Sequence, residues 1–137
     1  MPNQETEAHS AEMKKRVLVM DDEELVRLFA EKMLDKMGYE VVTVRDGQAA
    51  IRRYKGAREA GNPFAVVIMD LSVSDGLGGK ETIAELRAYD PDVIAIISSG
   101  YLNDPVMTDF QDYGFKGRIA KPFDIQDLVR VLESCIG

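Results

Sequence analysis

The chain has 137 residues, of which 45% are hydrophobic and 30% are charged. This length and composition are typical of one globular domain and exclude a disordered chain, while the single Cys135 excludes a disulfide-stapled scaffold and fits a reducing compartment. The 24 acidic and 17 basic residues leave a formal net charge of −7, which disfavours direct binding to nucleic acid.

The N-terminal segment predicts a polar leader rather than a folded element. Residues 1–15 mix charged and small polar side chains without apolar periodicity, so we expect a flexible leader before a domain over residues 16–137. His9 lies in this leader, and we expect it to be a solvated residue without a role in metal or base chemistry. The chain lacks both a signal peptide and an apolar run near the roughly 20 residues that cross a bilayer, so a cytoplasmic protein without membrane insertion is expected.

Five short apolar runs alternate with longer amphipathic segments from Arg16 onward, which is the rhythm of an α/β protein. The first, third and fourth runs are apolar on both faces and suit central strands, whereas the second and fifth suit edges. Together they predict a doubly wound parallel sheet. The predicted strands span residues 17–20, 41–44, 64–69, 93–97 and 117–120.

Amphipathic segments between these runs predict five helices, over residues 23–37, 48–58, 80–89, 105–113 and 125–136. Gly38 is a natural stop for the first helix, and Asp124 is the expected N-cap of the last. The first helix places five apolar side chains on one face that we expect to point into the core: Leu25, Leu28, Phe29, Met33 and Leu34.

Polar residues follow the strands where each one ends, and ligands of open parallel sheets collect at that edge. An acidic first turn favours the start of a helix, but it does not account for Asp70, which follows a long apolar run. Carboxylates held close together repel unless a hard divalent cation binds them, and Mg²⁺ is the natural candidate. The residues at this edge are Asp21, Asp22, Glu23, Glu24, Asp70, Ser98, Ser99, Gly100, Lys121 and Pro122.

These motifs, in this order, resemble the receiver domain of two-component response regulators across residues 16–136. The stretches DLSVSDGLGGKE and SSGYLNDPVM are most similar to receivers of hybrid sensor histidine kinases. The resemblance implies a flavodoxin-like (βα)5 fold with strand order 2-1-3-4-5. It also implies a phosphoacceptor, rather than an enzyme, that receives a phosphoryl group from a histidine kinase phosphohistidine and assists its own phosphorylation and dephosphorylation.

The resemblance further implies a role for each acidic residue at the strand ends. Asp70 matches the phosphoacceptor, and Asp21 and Asp22 match the residues that position Mg²⁺ beside it. The backbone carbonyl of Ser72 would complete the protein ligands, and Mn²⁺ is the alternative ion. An aspartate can accept a phosphoryl group when a metal and a lysine neutralise the charge on the transferring oxygens.

The remaining matches concern the switch and the loops around it. Ser99 matches the hydroxyl that bonds the phosphoryl group, and Gly100 matches the small residue that follows it. Lys121 matches the lysine that pairs first with the acceptor aspartate and then with a phosphoryl oxygen. The peptide bond before Pro122 is expected to be cis. Tyr101 follows as either a switch aromatic or, more simply, an ordinary loop residue.

Two positions depart from the family pattern. Arg118 stands in strand five where many receivers have a Tyr or Phe that rotates as the hydroxyl moves, so the resemblance does not extend to that form of coupling. Ser74 stands in the loop after Asp70 where relatives commonly have Pro. This loop also looks one residue longer than in the shortest receivers.

The implied partners are a histidine kinase or histidine phosphotransfer domain and a downstream protein target. The sequence leaves open whether phosphorylation promotes a homodimer and whether the chain stands alone or belongs to a hybrid kinase. Two other functions stay open: a docking module that works without phosphorylation, and a Mg²⁺-dependent phosphohydrolase with an aspartate nucleophile. The phosphohydrolase would need a second Asp two residues after Asp70, where Ser72 stands.

Overall fold

A computed structural model describes residues 14–137, so most of the predicted leader, including His9, lies outside the described residues. Five parallel strands form one sheet in the order β2-β1-β3-β4-β5, which confirms the predicted order and the predicted edge strands. The strands are β1 (Arg16–Met20), β2 (Glu40–Val44), β3 (Val66–Asp70), β4 (Ala95–Ser99) and β5 (Gly117–Ala120).

Helices cover both faces of the sheet. Side chains alternate across each strand, so Val17 and Val19 face one core while Leu18 and Met20 face the other. No helix within residues 14–137 is long and apolar enough to span a membrane. The first core is covered by α1 (Glu24–Lys36) and α5 (Ile125–Ile136), and the second by α2 (Gly47–Glu59), α3 (Gly79–Tyr89), α4 (Pro105–Thr108) and a 3-10 helix (Phe110–Tyr113).

Strands β3 and β4 each begin two residues later than the apolar runs predict. Phe64 and Val93 precede these strands, yet both are buried. The central carbon of the Arg16 guanidinium lies over the Phe64 ring, 4.4 Å from the ring centre. Apolar patterning reports burial rather than strand pairing, and here the chain enters the core before it joins the sheet.

The prediction that five apolar residues of α1 face the core is wrong for Leu25, Leu28 and Phe29, and is confirmed for Leu34 and for the partly buried Met33. Leu25, Leu28 and Phe29 are 68%, 45% and 61% exposed, whereas Ala30 and Leu34 are fully buried. The helix therefore packs through a narrow stripe in which the small Ala30 side chain lies against the neighbouring elements. Leu25, Leu28 and Phe29 therefore remain on the surface near the N-terminus of α1, which follows Asp21 and Asp22.

The single helix predicted over residues 105–113 is two shorter ones. Asp104 caps α4 by accepting a hydrogen bond from the Val106 amide. Asp109, with φ −115° and ψ 40°, leaves the helical region, and the 3-10 helix follows it. Gly114 then ends the segment in the left-handed region at φ 102°, which favours glycine. The segment between β4 and β5 therefore contains a four-residue α-helix and a four-residue 3-10 helix instead of one longer helix.

The register of the sheet brings the predicted functional residues to one edge. Met20 pairs with Met69, Asp70 pairs with Ser98, and Ser99 pairs with Ala120. The residues that follow β1, β3 and β5 therefore lie side by side. The chain turns to opposite sides of β1 when it adds β2 and β3, and a crevice forms at such a switch point.

Two glycines of α2 provide a test of this packing. A Cβ on Gly47 would lie 2.7 Å from the Leu77 Cβ and 2.8 Å from the Leu77 carbonyl oxygen, whereas a Cβ on Gly56 would meet nothing within 4 Å. We expect Gly47→Ala to lower the free energy of unfolding by about 1 to 3 kcal/mol through overpacking. Gly56→Ala should raise it by about 1 kcal/mol through helix propensity. Urea unfolding measures both, and shifts of the same sign would contradict this packing.

Candidate functional site

Buried carboxylates lie at the carboxyl ends of β1 and β3. Asp21 is 1% exposed and Asp70 is 4% exposed, while Asp22 beside them is half-buried. One carboxylate oxygen from each of these three residues lies within 4.8 Å of the other two. This set of hard oxygen donors fits a small divalent cation such as Mg²⁺.

The Asp21 side chain is fixed by the start of α1 and by the neighbouring strand. The Glu23 amide donates a hydrogen bond to Asp21 Oδ1 at 2.9 Å, and the Asp21 amide donates to the carbonyl of Val44 at 3.1 Å. Arg27 reaches back along α1 and donates to the Asp21 carbonyl oxygen at 2.8 Å. The carboxylate is thus held in place before any ligand arrives.

Lys121 joins the end of β5 to the acids of β1 and β3. Its Nζ lies 3.0 Å from Asp21 Oδ2, 3.3 Å from Asp70 Oδ1 and 3.4 Å from Glu23 Oε1. Burial opposes the charge on Lys121, but the hydrogen bond to Asp21 and the charges of Asp70 and Asp21 outweigh it and raise its pKa. Lys121 therefore stays protonated. The peptide bond that follows it, to Pro122, is cis, as expected.

Asp70 is the acid of this group whose pKa is raised well above its ordinary value. Burial, and then the nearby negative charge of Asp21, raise the pKa of Asp70 to about 6, and the attraction of Lys121 only partly offsets them. A carboxylate with so few compensating donors is ready to bind a cation or to react through its oxygen.

The loop after β3 holds Asp22. The Ser74 amide donates to Asp22 Oδ2 at 3.0 Å, and this hydrogen bond is the main reason that the pKa of Asp22 is lowered. Proline, which is common at this position in the receivers that the sequence resembles, has no amide hydrogen and could not make this bond. The departure at Ser74 therefore gives Asp22 a hydrogen-bond donor that a proline would remove.

Of the two serines at the end of β4, only Ser99 lines the cleft. Its Oγ accepts a hydrogen bond from the Tyr101 amide at 2.9 Å, whereas the Ser98 hydroxyl donates to the carbonyl of Met69 at 3.4 Å. Tyr101 is 75% exposed and is an open loop aromatic. The cleft, of about 250 Å³, is lined by Asp22, Glu23, Asp70, Ser72, Ser74, Ser99, Gly100, Tyr101 and Lys121.

Arg118 lies outside this cleft, on the exposed side of β5. Its guanidinium donates to the carbonyl oxygen of Met107 in α4 at 3.0 Å and lies 5.9 Å from the centre of the Phe110 ring. The residue that replaces the usual aromatic thus ties β5 to the segment after β4.

Two contacts of the cleft were absent from the sequence-based expectations: the Ser74 amide on Asp22 and the Glu23 carboxylate near Lys121. Glu23 belongs to the acidic run after β1, and the favourable helix dipole was a sufficient explanation for it there. Its contact with Lys121 joins residues 98 positions apart and depends on the fold. Only the position of Glu23 in the acidic run could have drawn attention to it.

The raised pKa of Asp70 predicts a specific dependence of stability on pH. The folded state holds the Asp70 proton more tightly than the unfolded state does, so this group's stabilising contribution is present below pH about 4 and is lost as the pH rises through about 6. At pH 8, without divalent cations, we expect Asp70→Asn to raise the free energy of unfolding by about 1 to 2 kcal/mol.

Urea unfolding in EDTA at pH 8 and at pH 4 tests this expectation. The stabilisation by Asp70→Asn should shrink at the lower pH, because the wild-type carboxyl is then neutral too. Asp75→Asn, on the exposed surface of the same loop, is the matched control and should change little. A gain that is independent of pH would show that ionisation of Asp70 is not its cause.

Comparison with known proteins gives a consistent result. The family model of the response regulator receiver domain matches residues 17–133. The chemotaxis protein CheY of Thermotoga maritima is 29% identical over 121 residues, which cover 88% of this chain and 96% of that protein. The transcriptional regulatory protein PdtaR of Mycobacterium tuberculosis is 32% identical over 134 residues, which cover 96% of this chain but only 60% of PdtaR.

Among solved structures, the receiver domain of a sensor histidine kinase from Pseudomonas aeruginosa PAO1 is similar to this chain, with a TM-score of 0.79 and 26% identity. The match covers 90% of this chain and 98% of that domain, whose active-site cleft coordinates a magnesium ion. The flavodoxin-like fold predicted from the sequence is therefore confirmed. The chain belongs to the family of response regulator receiver domains, the phosphoacceptor modules of two-component signalling.

Proposed function

We propose that Asp70 is the residue of this receiver that accepts the phosphoryl group, which comes from a phosphohistidine of a histidine kinase or phosphotransfer domain. One observation carries the proposal: among the three clustered aspartates, Asp70 combines burial, a pKa raised to about 6 and a contact to Lys121 at the floor of the cleft. The attacking Asp70 oxygen forms the new bond to phosphorus, and the bond from phosphorus to the histidine nitrogen breaks.

The proposed magnesium ligands are the carboxylates of Asp21, Asp22 and Asp70 and the backbone carbonyl of Ser72. The clustering of the three carboxylates within 4.8 Å supports this set. When bound, Mg²⁺ would supply positive charge to the oxygens of the transferring group. Lys121 adds a fixed positive charge at the same place and stays protonated because its pKa is raised.

Ser99 is proposed to couple phosphorylation to the surface. Its hydroxyl accepts the Tyr101 amide hydrogen, so a shift of Ser99 toward the new phosphoryl oxygens would draw the loop after β4 with it. Gly100 and Tyr101 lie in that loop, which leads to the Asp104 cap of α4. The surface of α4 and β5 would then change, and a downstream protein or a second phosphorylated copy would recognise it.

The phosphorylated state is proposed to be temporary, because an acyl phosphate in an open cleft is accessible to water, which attacks phosphorus and regenerates the Asp70 carboxylate. The same Mg²⁺ site and Lys121 would assist this dephosphorylation. We place the receiver at residues 16–137, after a leader over residues 1–15, and propose that it works in the cytoplasm, where kinase phosphodonors occur.

The exposed apolar residues of α1 are proposed as the docking surface for the phosphodonor. Leu25, Leu28 and Phe29 lie in the first two turns after the metal-binding pair Asp21 and Asp22. A donor histidine must approach Asp70 closely, so the donor protein would cover this neighbouring surface during transfer. Burial of large apolar side chains would supply affinity there.

Incubation with acetyl phosphate and Mg²⁺, followed by intact mass measurement, tests the phosphoacceptor assignment. We expect a labile gain of one phosphoryl group that EDTA abolishes and that Asp70→Asn does not show, because this variant lacks the nucleophilic oxygen. Mn²⁺ in place of Mg²⁺ tests the choice of ion. A gain of one phosphoryl group by Asp70→Asn would refute the site.

The outcome also separates the alternative functions. No gain, together with no Mg²⁺ binding by titration, would favour a docking module that works without phosphorylation. Turnover of the phosphoryl donor without any lasting adduct, at a rate far above the spontaneous hydrolysis of that donor in water, would favour the phosphohydrolase.

The roles of Ser99 and Lys121 predict different defects. Ser99→Ala should still accept the phosphoryl group but should show smaller chemical-shift changes at residues 100–108 by NMR on phosphorylation, because the hydroxyl link is lost. Lys121→Ala should be phosphorylated about 10-fold or more slowly, since it removes the fixed charge beside the transferring group. Normal rates and normal shift changes in both variants would contradict these roles.

Phe29→Ser provides a test of the α1 docking surface. We expect it to slow phosphotransfer from a phosphorylated cognate kinase about 5-fold or more through lost apolar contact, and to leave phosphorylation by acetyl phosphate unchanged, because the small donor needs no docking surface. Leu102→Ser, at an exposed apolar residue beyond β4, is the control. Equal effects of the two variants on kinase transfer would argue against a specific role of α1.

A further inference from the structure

The Glu23 carboxylate contacts the Lys121 ammonium but has no part in the proposed transfer. Glu23 is the residue before the first turn of α1, and its backbone amide is held by Asp21 Oδ1. Its side chain is 65% exposed and reaches over the mouth of the cleft, where Oε1 lies 3.4 Å from Lys121 Nζ. The backbone contact keeps this residue beside the cleft.

The Lys121 ammonium is shared among several carboxylates: it donates hydrogen bonds to Asp21 and Glu23 and forms an ion pair with Asp70. An ammonium group has three N–H donors, and three carboxylates surround this one: Asp21, Asp70 and Glu23. A phosphoryl oxygen on Asp70 needs one of these donors. On phosphorylation the contact of Lys121 with Asp70 would pass to a phosphoryl oxygen, and the nearly buried Asp21 would keep its own contact. The carboxylate of the exposed Glu23 is then the group that competes with the phosphoryl oxygens for Lys121.

Glu23 also sets the net charge at the mouth of the cleft. With a divalent cation bound, the three negative charges of Asp21, Asp22 and Asp70 are balanced by the cation together with Lys121. Glu23 is the further carboxylate that touches this group, and it leaves the mouth of the cleft with one net negative charge. An incoming phosphoryl donor is itself an anion and is repelled by that charge.

The neighbouring charged residues Arg27 and Glu24 do not share the contact that Glu23 makes with Lys121. Arg27 is engaged by the Asp21 carbonyl oxygen, on the backbone side of the site. Glu24 is the next residue along α1 and is also exposed, but it has no ion pair with Lys121 within the described part of the chain. The acidic run thus contains one glutamate that touches the lysine and one that does not.

We infer that Glu23 is a positioning residue that restrains phosphorylation of Asp70, because it binds Lys121 from the mouth of the cleft and adds a negative charge in the path of the phosphoryl donor. This inference rests on the proposed function of Asp70. It makes the rate of phosphorylation depend on how readily an exposed ion pair opens.

The test compares Glu23→Gln with Glu24→Gln, which removes the same charge one residue away. With acetyl phosphate and Mg²⁺, we expect Glu23→Gln to be phosphorylated about two- to fivefold faster than the wild type, the factor for losing one exposed ion-pair contact. Glu24→Gln should stay close to the wild type. Equal rates in the two variants, or a slower Glu23→Gln protein, would overturn the inference.

A double-mutant cycle identifies Lys121 as the intermediary. Glu23→Gln should lose most of its accelerating effect in a Lys121→Ala background, since the charge it releases is no longer present. An undiminished effect there would overturn the part assigned to Lys121. If the wild type itself takes no phosphoryl group, the proposed function fails and this inference fails with it, whereas a phosphorylated wild type with unchanged variants refutes the inference alone.

A measurement without metal or donor completes the test. In EDTA, NMR of the lysine side-chain ¹⁵N nuclei should show a changed Lys121 Nζ shift in Glu23→Gln and an unchanged one in Glu24→Gln. A purely structural effect of the substitution at the start of α1 would instead move the backbone amides of the first turn and leave Lys121 Nζ unaltered, which would contradict the contact.

Discussion

The Lys121 ammonium between the buried carboxylates of Asp21 and Asp70 is the interaction on which the site depends. It connects the ends of β1, β3 and β5, which are not all neighbours in the sheet. Without this cation, two negative charges would face each other in a poorly hydrated cleft at a high cost in free energy. The lysine reduces that cost but does not remove it, as the raised pKa of Asp70 shows.

Another buried aspartate of the same fold shows how different a structural role is. Burial acts to raise the pKa of Asp90 as well, but hydrogen bonds from the Tyr54 hydroxyl, the Asp92 amide and Arg58 outweigh it and lower the pKa. Asp90 is stabilised as an ion by several donors. Within residues 14–137, Lys121 is the one cation paired with Asp70, and Asp21 and Glu23 share it, so the negative charge of Asp70 is less fully compensated than that of Asp90.

The Ser99 hydroxyl is linked to the surface of α4 through the loop after β4. The Ser99 hydroxyl is bound to the Tyr101 amide, and the loop that follows leads into a helix of only four residues. Arg118 holds that helix from the other side through the Met107 carbonyl oxygen. Val106 and Met107 anchor this short helix in the core, whereas Tyr101 and Leu102 in the preceding loop are exposed.

The sheet and the acids at its edge could be predicted from local patterns, because apolar periodicity and the positions of Asp21, Asp22, Asp70 and Lys121 are local properties of the chain. Which α1 side chains are buried depends on how the helix packs on the sheet: Leu25 and Leu34 are equally apolar, but only Leu34 shares the buried face with Ala30. It also decided the contacts of Glu23 with Lys121 and of Ser74 with Asp22. These residues are 98 and 52 positions apart, and no local pattern encodes a distance that the sheet register sets.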